Sequence, residues 1–488
     1  PHRMRRLSNT IVTRSSLALL AVGVLAGCGG GSAAEPTALK GTVAGVPTTS
    51  PLAGIQDDRV WQVPAKEAAS RVNTMTKLGA SIIRVDMRWD QVAPTRPKRP
   101  KDQFDLAYKW DAFDAVVDAA AKRGVKVLFT VWGTPGWAAD PAVKKSTTFP
   151  DWARRPLRPG PFGDFAYAAA SRYTPRGVRS WEAWNEPNIP IFLRPQFKKS
   201  GRTWIPVSPA TYTGLAKAFY AGIKQVDANA QIAGLVTAPA GDQCPSSCPK
   251  SANARMTPSA FLTAVSKPGL RPPMTVVSHH PYPITTPRDV SFPGASYIDL
   301  YNINRFQNEI DTTYLRGKKI WLTEFGYSTQ KVAQYSLNVT EAEQAQYLQD
   351  AYRRVRANRR IGMLVWYFLQ DNSAWGSGLL RQNGDAKPAA SVFPLPMGPL
   401  STKVVSKTGT TTLVGQVRNL RSPGEITIQR QSGDDWLAVA TVQTGKDGSF
   451  AAKLVPGATS IYRATWTGDL PSGDRTTRTS WPVTVRVK

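Results

Sequence analysis

The stretch Ser180-Trp-Glu-Ala-Trp-Asn-Glu-Pro-Asn188 carries an apolar strand out into a loop and sets carboxylates among indole rings. Glu186 stands where the strand runs out. A carboxylate in that setting is either partly desolvated, which raises its pKa and suits it to proton donation, or it is a salt-bridged structural acid. Both readings are open on these letters alone. A second stretch, Lys318-Lys-Ile-Trp-Leu-Thr-Glu-Phe-Gly-Tyr-Ser328, is another apolar run that ends in a lone carboxylate, Glu324, followed by Gly326. Two glutamates at strand ends suggest a working pair.

Outward from these stretches, strand and helix patterns alternate. Ala53-Gly-Ile-Gln reads as a short first strand, and Ala68, Val72, Met75 and Leu78 then recur at helical spacing before Gly79. Ser81-Ile-Ile-Arg-Val-Asp-Met-Arg-Trp89 is the second strand. Phe113, Val116, Val117 and Ala120 make the next helix, closed by Gly124 in the left-handed position that glycine tolerates, and 125–132 is a fully apolar third strand. The alternation continues through 178–184, 231–236, 274–278, 319–323 and 362–368, which makes eight strand candidates. Tyr212, Leu215, Phe219 and Ile223 mark one intervening helix. Thr340-x-x-Glu343 is a capping box opening another, with Leu348, Ala351, Tyr352 and Val355 facing inward. Eight β/α units favour a closed (β/α)8 barrel over an open doubly wound sheet. No Gly-x-Gly-x-x-Gly or Gly-Lys-Ser/Thr loop follows any strand, which weakens a nucleotide-binding alternative.

A chain of 488 residues accommodates a barrel of roughly 250 to 350 residues and one smaller domain. Hydrophobic content of 41% and charged content of 20% are ordinary, whereas 62 Lys+Arg against 34 Asp+Glu give a net charge of +28. That excess reads either as attraction to an anionic polymer or envelope surface, or as a composition bias spread over a solvated surface. No basic run is interleaved with aromatics as nucleic-acid grooves require, so no nucleic-acid partner is expected.

Arg3, Arg5 and Arg6 precede the apolar run Leu17-Ala-Leu-Leu-Ala-Val-Gly-Val-Leu-Ala26, the charge-then-apolar order of a secretory signal. At this length the run is too short to span a bilayer comfortably. It closes on Leu25-Ala26-Gly27-Cys28, which resembles a bacterial lipobox, with Cys28 lipidated and residues 1–28 a signal; an incidental cysteine after an ordinary signal is the alternative. Residues 29–50 read as a flexible tether rich in Gly, Pro, Ala and Thr. Export would expose Cys244 and Cys248 to an oxidising compartment, where a short loop disulfide competes with a Cys-x3-Cys metal site that has no further ligand nearby. No metal is expected.

The strand ends are polar and aromatic: Arg84, Asp86, Arg88 and Trp89 on strand 2; Trp132, Thr134 and Trp137 after strand 3; Trp184, Asn185 and Glu186 on strand 4. Strand 6 gives His279, His280 and Tyr282, and strand 8 gives Trp366, Tyr367, Gln370 and Asp371. Sugar sites need this mixture, since aromatic faces cover the C–H side of a ring while amides, imidazoles and carboxylates meet its hydroxyls.

Over about residues 51–396 the chain resembles the clan A glycoside hydrolases, retaining (β/α)8-barrel enzymes, with Asn185-Glu-Pro ending strand 4 and Thr323-Glu-Phe-Gly ending strand 7. The resemblance implies Glu186 as acid/base, Asn185 as the amide meeting the sugar 2-hydroxyl and Glu324 as nucleophile. His280-Pro-Tyr282 looks like the strand 6 motif whose tyrosine orients the nucleophile. Arg84 is similar to the arginine that keeps that carboxylate ionised, and Trp366 to the strand 8 tryptophan under the reactive sugar. Trp132 joins them as a substrate-binding candidate, and Glu182 reads as structural. Gly133-Thr-Pro-Gly-Trp137 looks most like families 39 and 5.

After Pro399 the composition changes to short alternating runs separated by turn residues such as Lys446-Asp-Gly448, so 400–488 reads as a small antiparallel β-sandwich. It resembles bacterial immunoglobulin-like accessory modules, as a spacer or a carbohydrate binder. The expectation is an exported, monomeric retaining β-glycosidase, lipid-anchored at the membrane surface of the cell envelope, acting on a polysaccharide or oligosaccharide without cofactor. A barrel that captures carbohydrate without turnover, and a barrel that serves only as scaffold for the sandwich, are the competing readings.

Overall fold

A computed structural model describes residues 51–242, 251–284, 286–287, 296–331 and 337–488. Cys28, the 29–50 tether and the Cys244/Cys248 pair lie outside the described residues.

Eight parallel strands close into a barrel, each hydrogen-bonded to the next and the last to the first: Leu52–Gln56, Ile82–Arg88, Lys126–Trp132, Ser180–Ala183, Gln231–Thr237, Val276–His279, Ile320–Phe325 and Ile361–Tyr367. The alternation of side chains along each strand sorts the interior into layers. Ile82, Leu128, Ala233, Val276, Trp321, Met363 and Val365 make an apolar floor. Above it lies a buried polar layer of Gln56, Arg84, Thr130, Glu182, Ser278 and Thr323. The next residues up each strand reach the carboxyl-end mouth, where barrel chemistry sits.

The helices coat the outside by burying one stripe each. In Ala65–Lys77 the stripe is Ala68, Val72 and Met75; in Glu341–Ala357 it is Leu348, Ala351, Tyr352 and Val355. The capping box at Thr340 and Glu343 forms in both directions, satisfying two of the amide donors a helix start leaves open. Gly124 takes φ 65°, ending its helix as the sequence requires. No helix among the described residues is long and apolar enough to cross a membrane.

The C-terminal strands form two antiparallel sheets, Met397–Pro399 with Thr411–Gln416 and Ser449–Leu454 in one, and Glu425–Ser432, Asp435–Gln443, Ser460–Asp469, Arg475–Thr479 and Val483–Val485 in the other. Leu413, Ile426, Ile428, Phe450, Tyr462 and Trp466 fill the core between them. This sandwich begins ahead of residue 400, because Leu395 and Met397 insert into its core. Prolines 394, 396 and 399 hide that edge from a strand pattern. Polar groups bind the sandwich to the barrel: Asn419 Nδ2 donates to the Thr76 carbonyl at 3.1 Å, and Met397 N–H to Gln349 Oε1 at 3.2 Å.

Candidate active site

Arg84 points inward from the second strand, fully buried, and its guanidinium organises the mouth. Nε donates to Glu182 Oε2 at 2.9 Å, Nη1 to Glu324 Oε1 at 2.7 Å and to Gln56, and Nη2 to Asn185 Oδ1 at 2.8 Å. Glu182 is the structural partner: Thr130 and Ser278 hydroxyls donate to its two oxygens, each at 2.6 Å. Burying a guanidinium this deeply is tolerable only because carboxylates and amides use its donors.

Glu324 leaves the seventh strand and accepts from the Tyr282 hydroxyl at 2.9 Å as well as from Arg84. Glu186, at the end of the fourth strand, is hydrogen-bonded to His280 Nδ1 at 2.8 Å, and that nitrogen lies 3.6 Å from Glu324 Oε2. One oxygen of each glutamate and one imidazole nitrogen fall within 4.8 Å of one another. These are the donors among the described residues that could share a metal ion, but Arg84 holds a fixed positive charge against Glu324 and opposes one there.

Burial raises both carboxyls. Glu186 is pushed well above the ordinary carboxylate range by burial and then by the charge of Glu324. Burial pushes Glu324 up to about 8, against the pull of Arg84 and the Tyr282 hydrogen bond. The two titrate as a pair, and the first proton to leave is that of Glu324, which alone has a guanidinium and a phenol to stabilise its charge. His280 stays neutral because burial and then Arg84 depress its pKa well below the usual imidazole range. It therefore orients Glu186 without supplying a charge that would ionise it.

The backbone around Glu186 is strained. Trp184 (φ 75°) and Glu186 (φ 39°), and on the adjoining strand Leu235 (φ 68°) and Val236 (φ 45°), occupy the left-handed region that side-chain-bearing residues seldom adopt. Glu186 N–H donates to the Val236 carbonyl at 2.9 Å, so the two strained strand ends are tied together. Asn188, fully buried, fastens the loop through Ala238 and Met256.

Trp132 also faces the mouth, edge-on to Trp152 and Phe192, with the Arg88 guanidinium 4.5 Å from both tryptophan rings. Arg88 is held by a two-point ion pair to Asp90. Gly133 permits this: a Cβ there would stand 2.6 Å from Asp90 Oδ1 and 2.9 Å from Arg88 Nε. His279 is packing, bonded to Thr237 and the Ile298 carbonyl.

Trp366 is a correction. Its ring is fully buried among barrel and helix side chains and its Nε1 donates to the Ser377 carbonyl at 2.7 Å, so it offers no face to a sugar. Met363 and Val365 face into the barrel, and one residue's shift turns Trp366 outward and Tyr367 inward. Tyr367 donates to Asp58 at 2.7 Å and packs edge-on against Tyr282 and Trp375. Gln56, Asp58 and Trp375 complete the mouth without having been picked from the sequence. Tyr367 was named among the strand 8 residues, and counting by twos from Met363 would have put it ahead of Trp366.

The sequence profile of the cellulase family (glycosyl hydrolase family 5) matches residues 35–372. No match was found among curated proteins. Among solved structures, a GH39 β-xylosidase from Caulobacter crescentus superposes with a TM-score of 0.53 at 17% identity, covering 86% of this chain and 99% of its own. A monomeric β-xylosidase from Caulobacter crescentus CB15 gives 0.51 at 15% identity, over 86% and 98%. A glucosidase from Croceicoccus marinus gives 0.50 at 11%, over 83% and 93%. At these identities the structural likeness speaks to the barrel fold.

Proposed function

The chain belongs to the cellulase family, glycosyl hydrolase family 5, and from that premise we propose that it cleaves a β-linked polysaccharide or oligosaccharide outside the cell, using Glu324 as nucleophile and Glu186 as acid/base. The observation that carries this reading is the spacing of the two carboxyls, an oxygen of each within 4.8 Å. Retaining enzymes hold their carboxyls about 5–5.5 Å apart, whereas inverting ones leave about 6.5–9.5 Å for a water.

In the first step a Glu324 oxygen bonds to the anomeric carbon as the glycosidic C–O bond breaks, and the Glu186 proton goes to the departing oxygen. Arg84 and Tyr282 favour the ionised Glu324 that attacks, and His280 holds Glu186 in place with its proton. Glu186, now a carboxylate, then takes a proton from water, which attacks the same carbon and releases Glu324. Asn185 gives its Oδ1 to Arg84 and keeps its amide N–H groups for the sugar 2-hydroxyl. Trp132, Tyr367 and Trp375 supply the aromatic walls. Supporting export are the apolar leader and Cys28, which would tether the enzyme by lipid at the cell envelope.

Proton NMR of early products from an aryl β-glycoside tests the reading. The expected outcome is retained β-configuration, loss of turnover in Glu324→Ala, and survival of activated leaving groups in Glu186→Ala. Inverted product would overturn the roles given to both residues.

A further inference from the structure

Three arginines lie buried where the sandwich meets the barrel: Arg356, Arg418 and Arg478, with 7%, 2% and 6% of their surface exposed. None forms an ion pair among the described residues. The acid acting on this group is Asp447, at a distance and on Arg356, and its Oδ1 accepts from Ser449. Part of their donor capacity goes to backbone carbonyls: Arg356 Nη1 to Gly415, Arg478 Nη1 to Arg418, and Arg478 Nη2 to Lys77 at 3.3 Å. Arg418 Nε, Nη1 and Nη2, and Arg356 Nη2, are buried and make no hydrogen bond of good geometry among the described residues, although the Tyr352 hydroxyl is near enough to act on the Arg418 guanidinium.

A guanidinium does not shed its proton to escape such a place, so the seam carries positive charge in a dry environment. Burial and the neighbouring cations pull in one direction: Arg418 is lowered to about 10 by burial and by Arg356, and Arg478 to about 10 by burial and by Arg418. Two rings lie against the Arg418 guanidinium, Tyr352 at 3.6 Å and Phe393 at 4.2 Å from Cζ. They offset some of the charge. Their centroids are 5.7 Å apart and their planes nearly perpendicular, so they shield two adjoining sides of the guanidinium and not its two faces, and the remaining N–H groups are the direction for a ligand.

We propose that this seam binds a small inorganic anion of halide size, held by the in-plane N–H groups of Arg418 with Arg356 Nη2 as a second donor. The anion neutralises a cluster that would otherwise repel itself, and it fastens the sandwich to the helices Ala65–Lys77 and Glu341–Ala357. Its site is remote from the glutamate pair and independent of what sugar the enzyme cleaves.

Crystals of the full chain grown in sodium bromide test this directly. An anomalous bromide peak within hydrogen-bond reach of Arg418 and Arg356 is expected. In solution, thermal unfolding should shift upward saturably with bromide relative to gluconate at equal ionic strength. Arg418→Met should lose that dependence. If that variant does not fold, Arg356→Gln should need about tenfold more bromide for the same shift, the loss of one charge-assisted donor. Bromide peaks at exposed lysines alone, or unfolding that is the same in both salts, would overturn the proposal and assign the open donors to water.

Discussion

Arg84 and Glu324 meet at 2.7 Å across 240 residues of chain, and the same guanidinium grips Asn185 beside the other glutamate. A planar fork makes those contacts at once, which an ammonium cannot do. Arg84→Lys should keep the charge and the fold but lower kcat/KM by about a hundredfold, about 2.7 kcal/mol of lost transition-state stabilisation. Steady-state kinetics beside a thermal melt checks both halves.

Tyr282→Phe isolates one hydrogen bond to Glu324, the proposed nucleophile. That bond stabilises ionised Glu324 and lowers its pKa, so removing it raises the pKa. The acid limb of the kcat/KM profile should therefore move to higher pH, by about one unit for a bond to a charged group worth about 1.5 kcal/mol. The alkaline limb, set by the Glu186 proton, should stay. A shift of the acid limb to lower pH would contradict the assignment.

Trp366 and Trp375 should separate stability from binding. Trp366→Ala removes a fully buried ring and should cost about 3–5 kcal/mol of stability, with KM unchanged in the folded fraction. Trp375→Ala, at the partly exposed mouth, should raise KM about tenfold while altering stability by less than about 1 kcal/mol. Denaturant titration and saturation kinetics on both variants would show the opposite pattern if Trp366 were the sugar platform.

The cysteines give two tests of the proposed export. Cys28→Ser should move it from the membrane fraction to the soluble one, and unchanged retention would sink the lipid anchor. Cys244 and Cys248 should resist alkylation until a reductant is added. Two thiols that label freely would remove the disulfide.

The barrel was legible because apolar runs such as 126–132, 231–236 and 361–367 recur between stretches of helical spacing. Glu186 and Glu324 stood out only as a pair, because two such runs end in a carboxylate and match the clan motifs, whereas either one alone left a salt-bridged structural acid open. Trp366 was misread because residue type outweighed phase: the indole looked right, but the strand's alternation turns it away from the mouth. Gln56 and Asp58 escaped notice because the first strand is only five residues long and its polar end resembles an ordinary loop. Arg475–Thr479 gives as little signal, since Arg-Thr-Thr-Arg-Thr has no apolar alternation to betray a strand.

Glu186 is itself left-handed and three further left-handed residues flank it, and each of the four holds back about 1–3 kcal/mol that a relaxed backbone would recover. Relaxing it is no simple gain in stability, because Leu235 and Val236 are fully buried and Val236→Gly would trade the recovered strain for a lost core side chain. It would also loosen the carbonyl that fixes the Glu186 amide, so the relaxed enzyme would be the slower one. Engineers seeking a robust form should look for gains in the outer helices and leave this corner tense.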